Sequence, residues 1–230
     1  QFSAGVNVLD QRGKTEYDNP FGLQKPYQDY AISSVAVFTE LQATEWWTSR
    51  LEFGHSEDKQ SAYDKLNFNA QDDYNTYRDS ASWLNTFALN EQHTLLTGAD
   101  YNEDKLRSTQ PYNENSRWNQ AAFIQHNYKG DLFSTELGWR HDKNQQFGNE
   151  NTWNAAVSAP VGQTNEFVLS YAEGFRTPTF NNLYWKFDGW YEGNPNLKPE
   201  KSKSYELQWR SQLADSVRLE SSVYQTKVRD

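Results

Sequence analysis

Four histidines, His55, His93, His126 and His141, are the side chains best suited to acid–base or metal chemistry in this chain of 230 residues. They fall on different strands or strand ends, with no metal-ligand spacing between them. The chain has no cysteine, which removes a disulfide framework, a thiolate metal site and a cysteine nucleophile. No G-x-S-x-G elbow is present to expose a serine nucleophile. These residues argue against an enzyme. The remaining reactive groups are carboxylates, which outnumber the cations and leave a net charge of −9. That balance argues against a nucleic-acid partner.

The elements that must position these groups are legible from periodicity. Trp47, Ser49, Leu51 and Phe53 alternate with Thr48, Arg50, Glu52 and Gly54, and Phe133, Thr135, Leu137 and Trp139 alternate with Ser134, Glu136, Gly138 and Arg140. Period two marks a strand with one apolar and one polar face. The same pattern runs through Phe2–Val8, Ala81–Leu89, Trp153–Ala159, Phe167–Tyr171, Tyr205–Trp209 and Val217–Val223. With Tyr30–Thr39, His93–Tyr101 and Ser116–Tyr128, eleven strands are predicted. The sixth is ambiguous in parity because Phe123 and Ile124 are adjacent. Connections alternate between short (Glu40–Glu45, Asn90–Gln92, Lys129–Asp131, Pro160–Glu166, Leu213–Ser216) and long (Asp10–Asp29, Ser56–Thr76, Asn102–Asn115, His141–Thr152 and the stretch after Tyr171).

Composition selects among all-β folds. Mean hydropathy is −1.00 and 36% of residues are apolar, yet 16% are aromatic, including nine Trp. Disordered chains lack aromatics. A transmembrane antiparallel β-barrel reconciles these facts, because every second strand residue faces lipid and aromatic girdles mark both interfaces. Long connections confined to one end are the mark of such a barrel, and Arg50, Glu52, Glu136, Arg140, Glu206 and Arg210 share the polar parity, as a water-lined lumen requires. No run approaches the ~20 apolar residues of a spanning helix. There is no signal peptide and no Met, and both ends lie in strand-like sequence, so the expectation is an internal fragment.

One stretch carries a family resemblance. Tyr171…Gly174-Phe175-Arg176-Thr177-Pro178-Thr179-Phe180…Leu183-Tyr184, followed by Gly193-Asn194-Pro195-Asn196-Leu197-Lys198-Pro199-Glu200-Lys201-Ser202, resembles the signature of TonB-dependent outer-membrane receptors. The resemblance implies about eleven strands of a 22-stranded barrel with a plugged lumen, residues 1–230 being part of the barrel domain without the plug. It implies residence in the outer membrane of a Gram-negative bacterium, contact with outer-membrane lipid, and TonB as a partner through the plug. Within the family, Asp142–Gly148, Thr152-Trp153 and Gly193–Ser202 are most similar to the vitamin B12 (cobalamin) transporter branch. A ferric-siderophore receptor is the alternative, with another metal chelate as ligand, and an outer-membrane barrel enzyme is a remote one.

The cobalamin resemblance implies sites. Tyr17, Asp18 and Asp29 correspond to residues that help bind calcium and so order the extracellular loops, and Asn19 to a cobalamin contact. Calcium takes six to eight hard oxygen donors, so two carboxylates and a tyrosine leave the shell incomplete. A second contact loop is expected around Gln71-Asp72-Asp73. In the long connections acidic residues outnumber basic ones, which penalises an anionic ferric chelate more than a neutral corrinoid.

The parity reading predicts different costs at adjacent positions. Leu137→Arg, on the lipid parity, should destabilise the receptor by about 2–4 kcal/mol, whereas Glu136→Arg on the lumen parity should cost little. Unfolding of the full-length receptor in bilayers measures both, and equal costs would reject the assignment.

Overall fold

In the computed structural model, residues 1–16, 26–64, 67–186, 189 and 191–229 are described. They form one antiparallel sheet of eleven strands in strictly sequential order. The strands are β1 (Phe2–Glu16), β2 (Pro26–Gln42), β3 (Trp47–Asp64), β4 (Asn67–Ala88), β5 (His93–Ser108), β6 (Ser116–Lys129), β7 (Ser134–Asn144), β8 (Gly148–Val161), β9 (Asn165–Arg176), β10 (Glu200–Ala214) and β11 (Val217–Arg229). A single helical turn, α1 (Phe180–Tyr184), interrupts the connection between β9 and β10. β1 and β11 are the two edges of the open sheet.

All eleven expected strands are present, but several run further than their apolar alternation. β1 and β2 stay paired from Phe2↔Leu41 up to Glu16↔Tyr27, through most of the segment expected as a loop over Asp10–Asp29. β3 and β4 likewise pair as far as Asp64, and residues 145–147 alone turn β7 into β8, where His141–Thr152 was expected to be loop. The reason is that a ladder satisfies its own backbone groups. Where it stands in water on both faces, its side chains can be polar at every position, and the period-two signal disappears.

The two faces differ as the alternation requires. On β7, Leu137 is 56% exposed, while Gly138, Asp142 and Asn144 on the opposite parity are buried. Curvature crowds the side chains of a concave face, so the buried parity is the inner wall. It carries Arg50 with Glu52 at 2.7 Å and Glu40 at 3.7 Å, and Arg140 with Asp100 at 2.7 Å and Asp142 at 2.9 Å. Glu136 accepts from Asn154 at 2.6 Å, and Arg210 pairs with Glu166 at 3.1 Å. The ambiguous β6 resolves here too. Phe123 turns inward and lays its ring over Gly98, leaving no room for a Cβ there, while Ile124 faces outward.

The outer wall is an apolar band between two belts of rings. At the short-connection end lie Trp46, Trp47, Phe87, Tyr128 and Phe133, several in mutual contact, as between Trp47 and Phe87 with centroids 6.0 Å apart. Indole N–H groups satisfy the few polar atoms on this face: Trp47 Nε1 donates to Asn85 at 3.0 Å and Trp83 Nε1 to Ser49 at 2.9 Å. Tyr101 and Trp153 mark the other belt, each eight residues from the short-connection end of its strand. That separation suits the ~9–11 residues of a tilted membrane strand. The tilt is visible in the register. Phe53, Ala81, Tyr101, Gln120 and Lys143 form one row across β3–β7, yet Phe53 lies six residues above its strand's start and Lys143 nine.

The short connections therefore share one end of the sheet. In cells displaying the full-length protein, a cysteine at Asn90 or Asp131 should resist an impermeant thiol reagent, whereas one at Asn113 or Asn149 should react. Reaction at both ends would reject this orientation.

Candidate functional site

At the long-connection end, the inner wall and the turn at Thr179 and Phe180 enclose a chamber. The segment at 177–199 folds back because its own sequence makes a stable turn. Thr179 caps α1, its Oγ1 accepting from the Asn182 N–H at 3.2 Å, and the one-turn spacing puts Phe180 and Leu183 on a common buried side. Leu183 is fully buried. Gly193 then passes so close to α1 that a Cβ would lie 2.6 Å from the Leu183 carbonyl carbon and the Tyr184 nitrogen. Only glycine permits this approach without backbone movement.

Hydrogen bonds fasten the segment to its neighbours. The Asn113 N–H donates to the Tyr184 carbonyl at 2.9 Å and the Lys186 N–H to the Pro111 carbonyl at 3.1 Å. The Tyr112 hydroxyl donates to Asn181 Oδ1 at 2.7 Å, and its ring meets Trp185 edge-on. The Tyr184 hydroxyl reaches Gln146 in the turn between β7 and β8. Arg117 of β6 donates to the Pro178 carbonyl at 3.0 Å while its guanidinium lies 5.3 Å from the Phe180 ring centroid. Three connections, at 109–115, 145–147 and 177–199, are thereby tied into one cap.

Beneath the cap lies a cavity of about 370 Å³, lined by Asp58, Tyr74, Thr76, Arg78, Asp104, Arg117, Thr179 and Phe180 among others. Arg78 and Asp104 neutralise each other through two bonds of 2.6 and 3.0 Å. Among the described residues Arg117 makes no ion pair, and burial holds its guanidinium below the ordinary pKa. Burial also pushes the Tyr74 and Tyr112 phenols up, so both stay protonated donors at neutral pH. Such a wall offers rings, hydroxyls and the half-buried Arg117 guanidinium. It can hold a ligand by stacking and hydrogen bonds.

Of the residues implicated by sequence, Tyr17, Asp18 and Asn19 lie outside the described residues. Asp29 lies on β2 facing Lys14 across the ladder, Oδ1 and Nζ 4.0 Å apart and both half-exposed. Among the described residues no three acidic or histidine side chains converge on one point, so these residues alone do not make a calcium shell. Asp72 accepts from Gln110 Nε2 at 2.7 Å and Asp73 from the Ser61 hydroxyl at 2.7 Å, which places both at the rim of the cap; the side chain of Gln71 lies outside the described residues. His55 pairs with Asp79 at 2.6 Å, His141 with Asn151 at 2.9 Å, and His93 meets His126 at 3.0 Å on the outer face. That last pairing follows from the β5–β6 register, which spacing does not reveal. Arg117 and Tyr112 were likewise missed, since only the folded cap gives them partners.

The comparisons with known proteins follow the same lines. Residues 2–230 match the family described as TonB dependent receptor-like, beta-barrel. The chain is 36% identical over 157 residues to the vitamin B12 transporter BtuB of Vibrio vulnificus, covering 66% of this chain and 25% of that protein. It is 28% identical to the vitamin B12 transporter BtuB of Photobacterium profundum, covering 85% and 31%. The chain thus spans only a quarter to a third of the relatives it matches. Among solved structures, the FrpB iron transporter from Neisseria meningitidis superposes with a TM-score of 0.78 at 11% identity, over 100% of this chain and 43% of the other. At that identity the likeness concerns the fold alone.

The cap makes a local prediction. Gly193→Ala forces the backbone apart and should cost about 1–3 kcal/mol. Hydrogen exchange should quicken across 177–199 and 109–115 while the β3–β4 ladder stays protected. Unchanged exchange in the cap would contradict the packing described.

Proposed function

This chain belongs to the TonB-dependent receptor β-barrel family, and from that premise we propose that it forms part of the wall of an outer-membrane receptor for TonB-dependent uptake of vitamin B12 (cobalamin). The observation that carries this reading is the likeness to vitamin B12 transporters over most of the chain, 66% in one case and 85% in another. The chemistry of the chamber supports it. Cobalamin is a large, amide-bearing corrinoid, and Tyr74, Tyr77, Thr76 and Thr179 offer it rings and hydroxyls. Because Asp104 neutralises Arg78, the wall lacks the dense positive charge that would favour an anionic ferric chelate.

The lumen would hold a plug that engages TonB, and the barrel would sit in outer-membrane lipid. Tyr17, Asp18 and Asp29 would contribute oxygen donors to a calcium site, completed by donors from elsewhere in the receptor, and Asn19 would touch the corrinoid. Calcium supplies no chemistry of transport here. It would order the connection that Asp29 closes, so that less entropy is lost when the corrinoid binds.

Titrating the full-length receptor with cyanocobalamin tests this reading. Affinity should rise when calcium is added, and cyanocobalamin should raise calcium affinity by the same factor. Asp18→Ala should remove the calcium effect. Corrinoid binding that ignores calcium would reject the metal site and keep the transporter. Tight binding of a ferric chelate with no corrinoid binding would reject cobalamin in favour of a siderophore.

A further inference from the structure

Two of the four histidines come together on the outer wall, where neither the chamber nor the lumen uses them. His93 of β5 lies opposite Tyr128 of β6, and His126 lies opposite Leu95, so the two imidazoles are diagonal neighbours on one face of a ladder. Diagonal positions are within reach of ring-bearing side chains. His93 Nδ1 stands 3.0 Å from His126 Nε2. The ring centroids are 5.1 Å apart, so the rings meet nitrogen to nitrogen rather than face to face. One proton fits in that gap, with one imidazole donating and the other accepting.

The surroundings leave the pair to itself. The Tyr128 ring lies 4.9 Å from His93 between centroids, and Leu137, opposite His126 on β7, faces outward. His55 sits between Asp79 and Glu57, but neither His93 nor His126 has a carboxylate partner among the described residues. Backbone pairing fixes the pair from both strands. The β5–β6 ladder begins at His93↔Tyr128, and just beyond it the Lys129 N–H donates to the Gln92 carbonyl at 2.8 Å. Two nitrogen donors are therefore held together in advance, and a ligand that needs both loses less entropy on binding.

We propose that His93 and His126 form a two-nitrogen site for a divalent transition-metal ion of the copper, nickel and zinc class. Bonds of ~2.1 Å, at angles between square and tetrahedral, put two imidazole nitrogens about 3.0–3.4 Å apart. The separation found is already that of a chelate. The rings need only turn about χ2, a soft torsion, to bring both lone pairs onto the ion. The ring that donated the shared proton takes up its other tautomer through solvent, so both coordinate as neutral imidazoles and no net proton is released. No third acidic or histidine side chain converges there among the described residues, so water fills the remaining positions. Imidazole nitrogen suits copper, nickel and zinc, whereas calcium and magnesium require oxygen donors. The site is thus chemically distinct from the calcium site proposed around Asp29, and it lies at the short-connection end of the wall. A bound ion would tie β5 to β6 where both strands leave the belt of rings.

Copper titration of the tag-free, detergent-purified full-length protein tests it, followed by electron paramagnetic resonance. The wild type should bind Cu²⁺ with two nitrogen donors, and Zn²⁺ should displace it while Ca²⁺ and Mg²⁺ do not. His93→Gln and His126→Gln should each weaken binding by an order of magnitude or more, and His141→Gln should leave it unchanged. Heat-modifiable mobility on gels reports folding of each variant. Should the variants fail to fold, hydrogen exchange of the wild type decides, because Zn²⁺ should slow exchange at 93–95 and 126–128. Wild-type affinity in folded His93→Gln and His126→Gln would overturn the proposal, as would an equal loss in His141→Gln. Fewer than two nitrogen donors, displacement by Ca²⁺, or no slowing of exchange at the pair would overturn it too. No corrinoid enters this experiment, so failure of the cobalamin reading leaves its result intact.

Discussion

Within the membrane band, the backbone N–H and C=O groups of a strand must find their partners on neighbouring strands, because lipid supplies none. The strictly sequential antiparallel order meets that demand with the shortest possible connections. Once the ladder is set, side-chain parity is set with it, and a slip of one residue would turn every charge on the inner wall toward lipid. The matched register across β3–β7, from Phe53 to Lys143, shows how tightly that condition is kept. The alternation of Leu137 with Glu136 and Gly138, or of Leu51 with Arg50 and Glu52, is the sequence's answer to a wall with different solvents on its two sides.

That same constraint decides what was legible in the sequence. Within the membrane band, alternation is enforced, and strands such as those at Trp47–Phe53 and Phe133–Trp139 could be placed with their facing residues. Above the band both faces meet water, so Asp10, Arg12 and Lys14 continue β1 without any pattern to announce it. Phe123 and Ile124 defeated parity because one ring turned inward over Gly98, a contact that depends on the partner strand. The cap was harder still. Thr179, Phe180 and Leu183 carry a local turn signal, but Arg117, Tyr112 and Gln146 acquire their roles only through contacts across 38 to 69 residues of chain. The calcium candidates that the family resemblance singles out, Tyr17, Asp18 and Asp29, are legible as residue types, and of the three only Asp29 has a described place in the ladder.

The inner wall and the cap divide the work. Ion pairs such as Arg50–Glu52 and Arg140–Asp100 are partly open to water and contribute little to stability individually. Their effect is to keep the polar inner wall electrically balanced. Stability comes instead from the ladder and from apolar contacts at the two belts. The proposed recognition surface lies where the chain leaves the ladder, beside the segment pinned by Leu183 and Gly193. This arrangement puts a ligand-sized cavity of about 370 Å³ on a rigid support while leaving its roof made of connections that can vary without disturbing the wall.

Uptake of radiolabelled cyanocobalamin by cells whose only outer-membrane receptor for it is the full-length protein tests the account most directly. Cells with intact TonB should accumulate the label internally, and cells lacking TonB should hold it only at the surface. The account would be contradicted if neither strain bound cyanocobalamin above receptor-free cells, or if internal accumulation were the same with and without TonB.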